Sequence, residues 1–358
     1  MSNINAIAGE RIGVRAQIGQ AGWIHSAAFD IFLLIFAPLV TLPIIAAIYF
    51  RIPWLAIGGG LTLAFAHYFS TVSFFFWDEN REYYRTRLLA FVGGPVIITI
   101  ILFLLRGLNV PYIIQFVLFF WNTLHVSRQN CGILSIYRNK ADVKDPGMAQ
   151  RRAANGAIIS VSLFLAVWHI DTHKEVSALL GIVSGDLNLY VKIATGLAAA
   201  ICVLQLGLAV ARRREMLGLP ESLFLASSLG FFWPYLFIRD SETATFAMLL
   251  PHYVQYLSLV WLLHRRKFGD ASGGAPVPLL RLSASLTYLL PVLFSVGFFF
   301  YFMQQYVTVD AGRWWLQTIY LLIAFLHFYY DGLIWSFRRP QVRRSILPFL
   351  LGSRGVAG

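Results

Sequence analysis

Long apolar runs, separated by short polar and basic segments, follow one another along almost the whole chain. An α-helix needs about 20 apolar residues to cross the hydrocarbon core of a bilayer. The pattern therefore predicts an all-α fold, a polytopic integral membrane helix bundle with about ten transmembrane helices. The predicted spans are residues 28–50, 52–77, 88–106, 110–137, 153–170, 187–211, 222–238, 243–263, 284–304 and 314–337.

The basic residues predict the orientation of these spans. If the N-terminus is cytoplasmic, 23 of the 29 Lys and Arg residues fall at the cytoplasmic side of the membrane. Cytoplasmic loops carry such an excess of positive charge, so we expect both termini to be cytoplasmic. The six basic residues outside this set are Arg51, Arg106, Lys174, Lys192, Arg239 and Arg313.

The same pattern divides the chain into three parts. Residues 1–26 are predicted to be an N-terminal interfacial segment, 27–338 a single transmembrane helical domain, and 339–358 a cytoplasmic basic tail. The first apolar run begins near residue 27 and is too long for a cleavable signal peptide, so we expect it to be retained as a helix.

Composition agrees with a membrane location. The chain is 58% hydrophobic and 13% charged, whereas soluble domains contain about 25% charged residues. The net charge is +12, and the basic residues border the apolar spans. This placement favours membrane lipids as partners and argues against nucleic acid. The two cysteines, Cys131 and Cys202, provide neither a disulfide framework nor a zinc-site spacing.

Four histidines lie at similar depth in four of the predicted spans. From each histidine to the end of its apolar stretch the interval is 10 or 11 positions in three cases and 13 in the fourth. These intervals correspond to about 15–20 Å, which is near the middle of the membrane. Ionisable groups are costly there and mark candidate functional sites. The candidate metal ligands are His67, His125, His252 and His327.

Polar residues three or four positions after these histidines share a helix face with them. A histidine bound to a metal usually donates its second ring proton to such a neighbour, which fixes the ring. Asp331 is the candidate catalytic carboxylate, and it could orient His327 or bind the metal itself. His25 is a candidate for an additional site residue. The candidate orienting residues are Thr71, Arg128, Gln129 and Gln255.

Three interpretations of the four histidines remain open at this stage. They could converge on a metal ion, form hydrogen bonds between helices, or form a proton or substrate path. Imidazoles without cysteine suit iron, copper or zinc, and haem between two histidines is a further option. The depth favours Fe(II), dioxygen and a lipophilic substrate. The alternative function is an integral membrane transporter or lipid-binding protein, with a proton relay of histidines and Asp331.

One stretch around the last histidine has a family resemblance. Residues 326–338 read Leu-His-Phe-Tyr-Tyr-Asp-Gly-Leu-Ile-Trp-Ser-Phe-Arg, so that His327 precedes Asp331 by four positions and an apolar stretch leads to Arg338. This resembles the closing motif of the Brp/Blh family, the bacterial membrane beta-carotene 15,15'-dioxygenases. Residues 124–129 are similar to that family's His-Ser-Arg-Arg-His stretch, with Gln129 in place of the second histidine.

Two further motifs bear on this resemblance. The pair Pro251-His252 is similar to a Pro-His pair of the family. An early His-x3-Asp signature would require His25 and Asp30, which are one residue too far apart. The resemblance implies a four-histidine iron site, cleavage of a carotenoid with dioxygen, and a location in the bacterial inner (cytoplasmic) membrane.

Overall fold

A computed structural model describes most of the chain. Within the described residues every regular element is helical, which confirms the all-α prediction. The ten-span count and the cytoplasmic termini stay predictions, and most of the predicted interfacial segment lies outside the described residues. The structure describes residues 22–49, 53–71, 78–140, 147–169, 187–212, 217–269, 282–308 and 314–352.

We number the α-helices in chain order. The bounds are α1 Ala27–Phe29, α2 Thr41–Tyr49, α3 Pro53–Ser70, α4 Asp78–Arg85, α5 Gly94–Gly107, α6 Pro111–Lys140, α7 Gly147–Trp168, α8 Leu187–Ala211, α9 Leu219–Leu229, α10 Pro234–Phe237, α11 Ser241–Phe268, α12 Leu286–Thr308, α13 Trp314–Ile334 and α14 Pro340–Leu351.

Four helices are long and apolar enough to cross a membrane, as judged by length and composition within the described residues. The protein is therefore a membrane protein. These helices cover Leu89–Gly107, which includes a π-helical turn before α5, and Leu187–Ala211, Thr243–Phe268 and Leu286–Met303.

The first predicted span, 28–50, is not one continuous helix. After α1 the chain forms a π-helix at Asp30–Ile35 and a 3₁₀ helix at Ala37–Val40 before α2 begins. Pro38 lies in the 3₁₀ helix. Proline lacks an N–H group and disfavours the α conformation of the preceding residue, which explains the interruption.

The predicted span 222–238 is also interrupted. Helix α9 ends at Leu229, with Gly230 as its C-cap, and Pro234 starts the single turn of α10. A buried ion pair of Arg138 Nε with Glu221 Oε1, 2.7 Å long, joins the end of α6 to the start of α9. The ion pair therefore attaches the start of α9, the helix that precedes the interruption, to α6.

Helix α12 packs very closely against α3, the helix that carries His67. A β-carbon at Gly297 would lie 2.1 Å from the carbonyl oxygen of Thr62. The Thr62 hydroxyl donates a hydrogen bond to Gly58 O of the same helix at 2.7 Å, so it needs no partner on α12. Small residues permit such close approach of helices within membranes.

The predicted basic tail contains a helix, α14, which packs on the bundle. Its buried residues Val342, Ile346 and Leu350 recur at helical spacing, so that one face is apolar. Pro340 at its first position and Gly352 just after its end, with φ of 71°, are typical start and stop residues.

Two cations hold the end of α14. Lys140 Nζ donates to Leu351 O at 2.8 Å, and Arg266 donates to Phe349 O and Leu350 O at 2.8 Å each. Arg266 also donates to Ile24 O at 2.7 Å. The last residues of α6 and α11, two helices that carry candidate ligands, are thereby joined to both ends of the described chain.

Candidate metal centre

Each of the four candidate ligands lies inside a helix. His67 is in α3, His125 in α6, His252 in α11 and His327 in α13. Helix α11 starts at the N-cap Asp240, whose side chain accepts a hydrogen bond from Thr243 N at 2.8 Å. All four histidines are thus positioned by regular helices and not by loops.

The structure brings these four side chains together. One ligand atom from each histidine lies within 4.8 Å of those from the other three. The ring centroids of His67 and His327 are 4.2 Å apart, those of His67 and His252 4.7 Å, and those of His125 and His252 5.0 Å. The prediction that four histidines far apart in the sequence could converge on one point is confirmed, while their depth in the membrane stays a prediction.

Five ring nitrogen atoms of this cluster are buried without a hydrogen-bond partner among the described residues. His67, His252 and His327 are at most 4% exposed, and the His125 side chain is 8% exposed. The atoms without a partner are His67 Nδ1 and Nε2, His125 Nε2, His252 Nδ1 and His327 Nε2. A buried polar atom without a partner is unfavourable by about 1–3 kcal/mol, so several at one point favour a bound group.

The geometry and the donor set fit a single transition-metal ion. Two nitrogen atoms at about 2.0–2.2 Å from one ion can be at most about 4.4 Å apart. The largest separation here is no more than 4.8 Å. A movement of a few tenths of an ångström therefore suffices, which rotation of the imidazoles about their side-chain bonds can supply.

Asp331 lies against the histidine cluster and belongs to a polar network. Its Oδ1 accepts hydrogen bonds from Tyr256 OH at 2.9 Å and from Thr71 Oγ1 at 3.3 Å. Thr71 Oγ1 also lies 3.4 Å from His327 Nδ1. Thr71 thus occupies the place predicted for it beside a ligand, although the ligand is His327 and not the nearby His67.

Tyr256 and Trp335 belong to this network, and the sequence analysis missed both. The Tyr256 ring meets the His67 ring edge-on, with centroids 4.1 Å apart, and its hydroxyl accepts a hydrogen bond from Trp335 Nε1 at 2.9 Å. Tyr256 follows His252 by four positions, and Trp335 follows Asp331 by four. The helix-face rule that selected Asp331 could therefore have found them.

The other candidate orienting residues bond elsewhere. Gln255 Nε2 donates to Leu34 O at 2.7 Å, and Gln129 Nε2 lies 3.4 Å from both His252 O and Gln255 Oε1. These bonds involve main-chain carbonyls and the other glutamine, not imidazole rings. Arg128 is exposed.

His25 does not join the four-histidine group. Its ring packs against Phe29 and Trp261, with centroids 5.1 and 6.3 Å away. The carboxylate of Asp30 accepts hydrogen bonds from the backbone N–H groups of Ile24, at 2.5 Å, and His25, at 3.1 Å. These hydrogen bonds of the Asp30 carboxylate therefore fix the backbone of residues 24–30, where the described chain begins the first helix of the bundle.

Comparisons with known proteins add no relative: nothing matches the chain among protein-family models, curated proteins or solved structures. The chemistry of the site therefore rests on its own residues.

Proposed function

We propose that the protein is a membrane-embedded, metal-dependent oxygenase that acts on a long apolar substrate. The metal ion would be Fe(II), held by His67, His125, His252 and His327. The observation that carries this proposal is the convergence of their unpartnered nitrogen atoms at one buried point. When bound, Fe(II) with open coordination positions supplies the activation of dioxygen.

The walls of the site suit an apolar substrate. The rings of Tyr68 and Phe328 lie near those of His327 and His125, with centroids 5.0 and 4.8 Å apart. The Tyr253 ring lies 5.1 Å from His67. These aromatic side chains exclude water around the imidazoles, and they offer flat surfaces to a polyene or another extended lipid.

We prefer a non-haem iron ion over copper, zinc or haem. The resemblance to the Brp/Blh family supports iron and a carotenoid substrate, while copper and zinc also accept imidazole ligands. Haem is not proposed, because four rings with centroids 4.2–5.2 Å apart occupy the space that a macrocycle would need.

Metal analysis of the full-length protein tests the site. Protein purified in detergent from iron-supplemented cells should contain about one iron ion per chain, and His67→Ala and His327→Ala should lose it. His169→Ala is the matched control, because His169 is a buried histidine stacked on Tyr235 with centroids 4.9 Å apart. Folded wild-type protein without metal would contradict the proposal and favour a proton relay.

Expression in a carotenoid-accumulating host tests the substrate. We expect the pigment to bleach and an aldehyde product to appear, and both should be absent with His327→Ala. Unchanged pigment in cells whose purified protein contains iron would remove carotenoid cleavage from the proposal. Oxygen consumption with other long apolar lipids would then identify the substrate class.

A further inference from the structure

The two carboxylate oxygens of Asp331 have different surroundings. Oδ1 accepts the hydrogen bonds from Tyr256 OH and Thr71 Oγ1. Oδ2 faces the histidine cluster, 3.4 Å from His327 Nε2 and 3.8 Å from His125 Nε2. One oxygen is thus satisfied by the protein, and the other is directed toward the candidate metal position.

The Oδ2 distances do not correspond to hydrogen bonds. A charged hydrogen bond between a carboxylate and a protonated imidazole is about 2.7–2.9 Å long, and neither Nε2 atom has a hydrogen-bond partner. Two atoms bound to one ion at about 2.1 Å are separated by about 3.0 Å at a right angle and by about 4.2 Å when opposite each other. Both observed separations fall within this interval.

We propose that Asp331 Oδ2 is a fifth, monodentate ligand of the metal ion, beside the four histidines. The inference rests on the proposed metal site and adds a negatively charged ligand to it. Four neutral imidazoles leave the charge of a divalent cation uncompensated in apolar surroundings, which is unfavourable. Asp331 is an acidic side chain in direct contact with these rings, and its ionised form would reduce that charge.

The hydrogen-bond network also favours one ring nitrogen of His327 for the metal. Trp335 donates to the Tyr256 hydroxyl, and that hydroxyl donates its one proton to Asp331. When the Thr71 hydroxyl donates to Tyr256, 2.7 Å away, or to Asp331, 3.3 Å away, its lone pair can accept from His327 Nδ1–H at 3.4 Å. This tautomer leaves the Nε2 lone pair, on the side of Asp331 Oδ2, for the metal.

Tyr256, Thr71 and Trp335 are then positioning residues. They hold Oδ1 and prevent the carboxylate from binding through both oxygens, which keeps a coordination position open for the reaction. The Tyr256 ring also packs against the rings of His67 and His327, with centroids 4.1 and 5.8 Å away, so one side chain contacts at least three of the five proposed ligands. None of these three residues would touch the ion in this arrangement.

Cobalt(II) substitution tests the fifth ligand in the full-length protein. The visible ligand-field bands of Co(II) respond to ligand number, so Asp331→Asn should shift them and weaken Co(II) binding by on the order of 100-fold. Tyr256→Phe should keep the band pattern and weaken binding about 10- to 100-fold, as is typical of residues that orient a ligand. Asp331→Glu, which retains a carboxylate, should restore much of the affinity.

Several outcomes separate this inference from the proposed function. If wild-type protein binds neither iron nor Co(II), the metal site itself is wrong. If it binds Co(II) and Asp331→Asn leaves the bands unchanged, the four-histidine site stands and the fifth ligand is wrong. If Asp331→Asn does not fold, the fifth ligand can be tested in the wild-type protein. Infrared spectra of protein with ¹³C-labelled aspartate are then compared before and after metal addition. Monodentate binding of the metal should increase the separation between the antisymmetric and symmetric stretches of one aspartate carboxylate. An unchanged separation would overturn the inference.

Discussion

Helices α8 and α11 are similar in length but have opposite surroundings. In the most apolar stretch of α8, 11% of the residues are buried within the protein. In the corresponding stretch of α11, 67% are buried. The mean hydropathy of these parts is 2.2 in α8 and 1.4 in α11. The less apolar helix is thus the more buried one, because lipid accepts only apolar side chains, whereas neighbouring helices can satisfy polar ones.

The difference coincides with the position of the candidate metal centre. Helix α11 contains His252, Gln255 and Tyr256, each at most 3% exposed. Helix α8 instead exposes Leu197, Ile201 and Leu204. Among the four helices that are long and apolar enough to span a membrane in the described residues, the least apolar and most buried one therefore contains a histidine of the four-histidine cluster.

The largest expected effect is on metal binding. His252→Ala, in α11, should remove essentially all bound metal, because it deletes one of four converging ligands. Gln205→Ala, which changes an exposed polar residue of α8, should leave the metal content unchanged. Elemental analysis of both purified proteins provides the comparison. Equal metal loss in the two variants would show that the difference between the helices has no functional meaning.

The next effect is on stability. Leu262 of α11 is 0% exposed, and Leu204 of α8 is 63% exposed. Leu262→Ala should lower the free energy of unfolding by about 2–5 kcal/mol, because it leaves a cavity. Leu204→Ala should change it by about 0.5 kcal/mol or less. Reversible unfolding in mixed micelles measures both, and comparable losses would contradict the assignment of α8 to a lipid-facing position.

A smaller effect is expected at two glycines. Gly297→Ala should destabilise the protein by about 1–3 kcal/mol, because the new methyl group would meet the Thr62 carbonyl. In α8, the carbon added by Gly207→Ala would lie more than 4 Å from any described atom beyond its chain neighbours and the backbone of its own helix. This change should therefore be neutral or stabilising by up to about 1 kcal/mol. The same unfolding assay applies. Tolerance of Gly297→Ala would mean that α3 and α12 are less closely packed than described.

Periodicity and depth were sufficient to predict much of the candidate site. His67, His125, His252 and His327 could be selected because a polar group at mid-membrane needs a reason to be there. Asp331 and Thr71 could be selected because residues four positions apart share a helix face. The same rule would also have found Tyr256 and Trp335, but the sequence analysis did not apply it to them.

Other features could not be predicted because they depend on contacts between distant segments. The docking of α14 requires partners that the local pattern does not contain. Thr71 was expected beside His67 but lies beside His327, since helix packing determines which ring a hydroxyl meets. His25 was a candidate because, with Asp30, it stands where the first predicted span begins and could represent an early His-x3-Asp signature, yet its ring packs on Trp261.

The sequence by itself determined that the protein is helical and belongs in a membrane, and it predicted four histidines at one depth. These properties follow from how each residue is solvated by water or lipid, which depends on the residue and its immediate neighbours. Only the tertiary structure decided that the four rings meet, that one oxygen of Asp331 faces them, and that Tyr256 holds the other. Those facts depend on how helices rotate and pack against one another, and packing is a property of pairs of surfaces that no single segment contains.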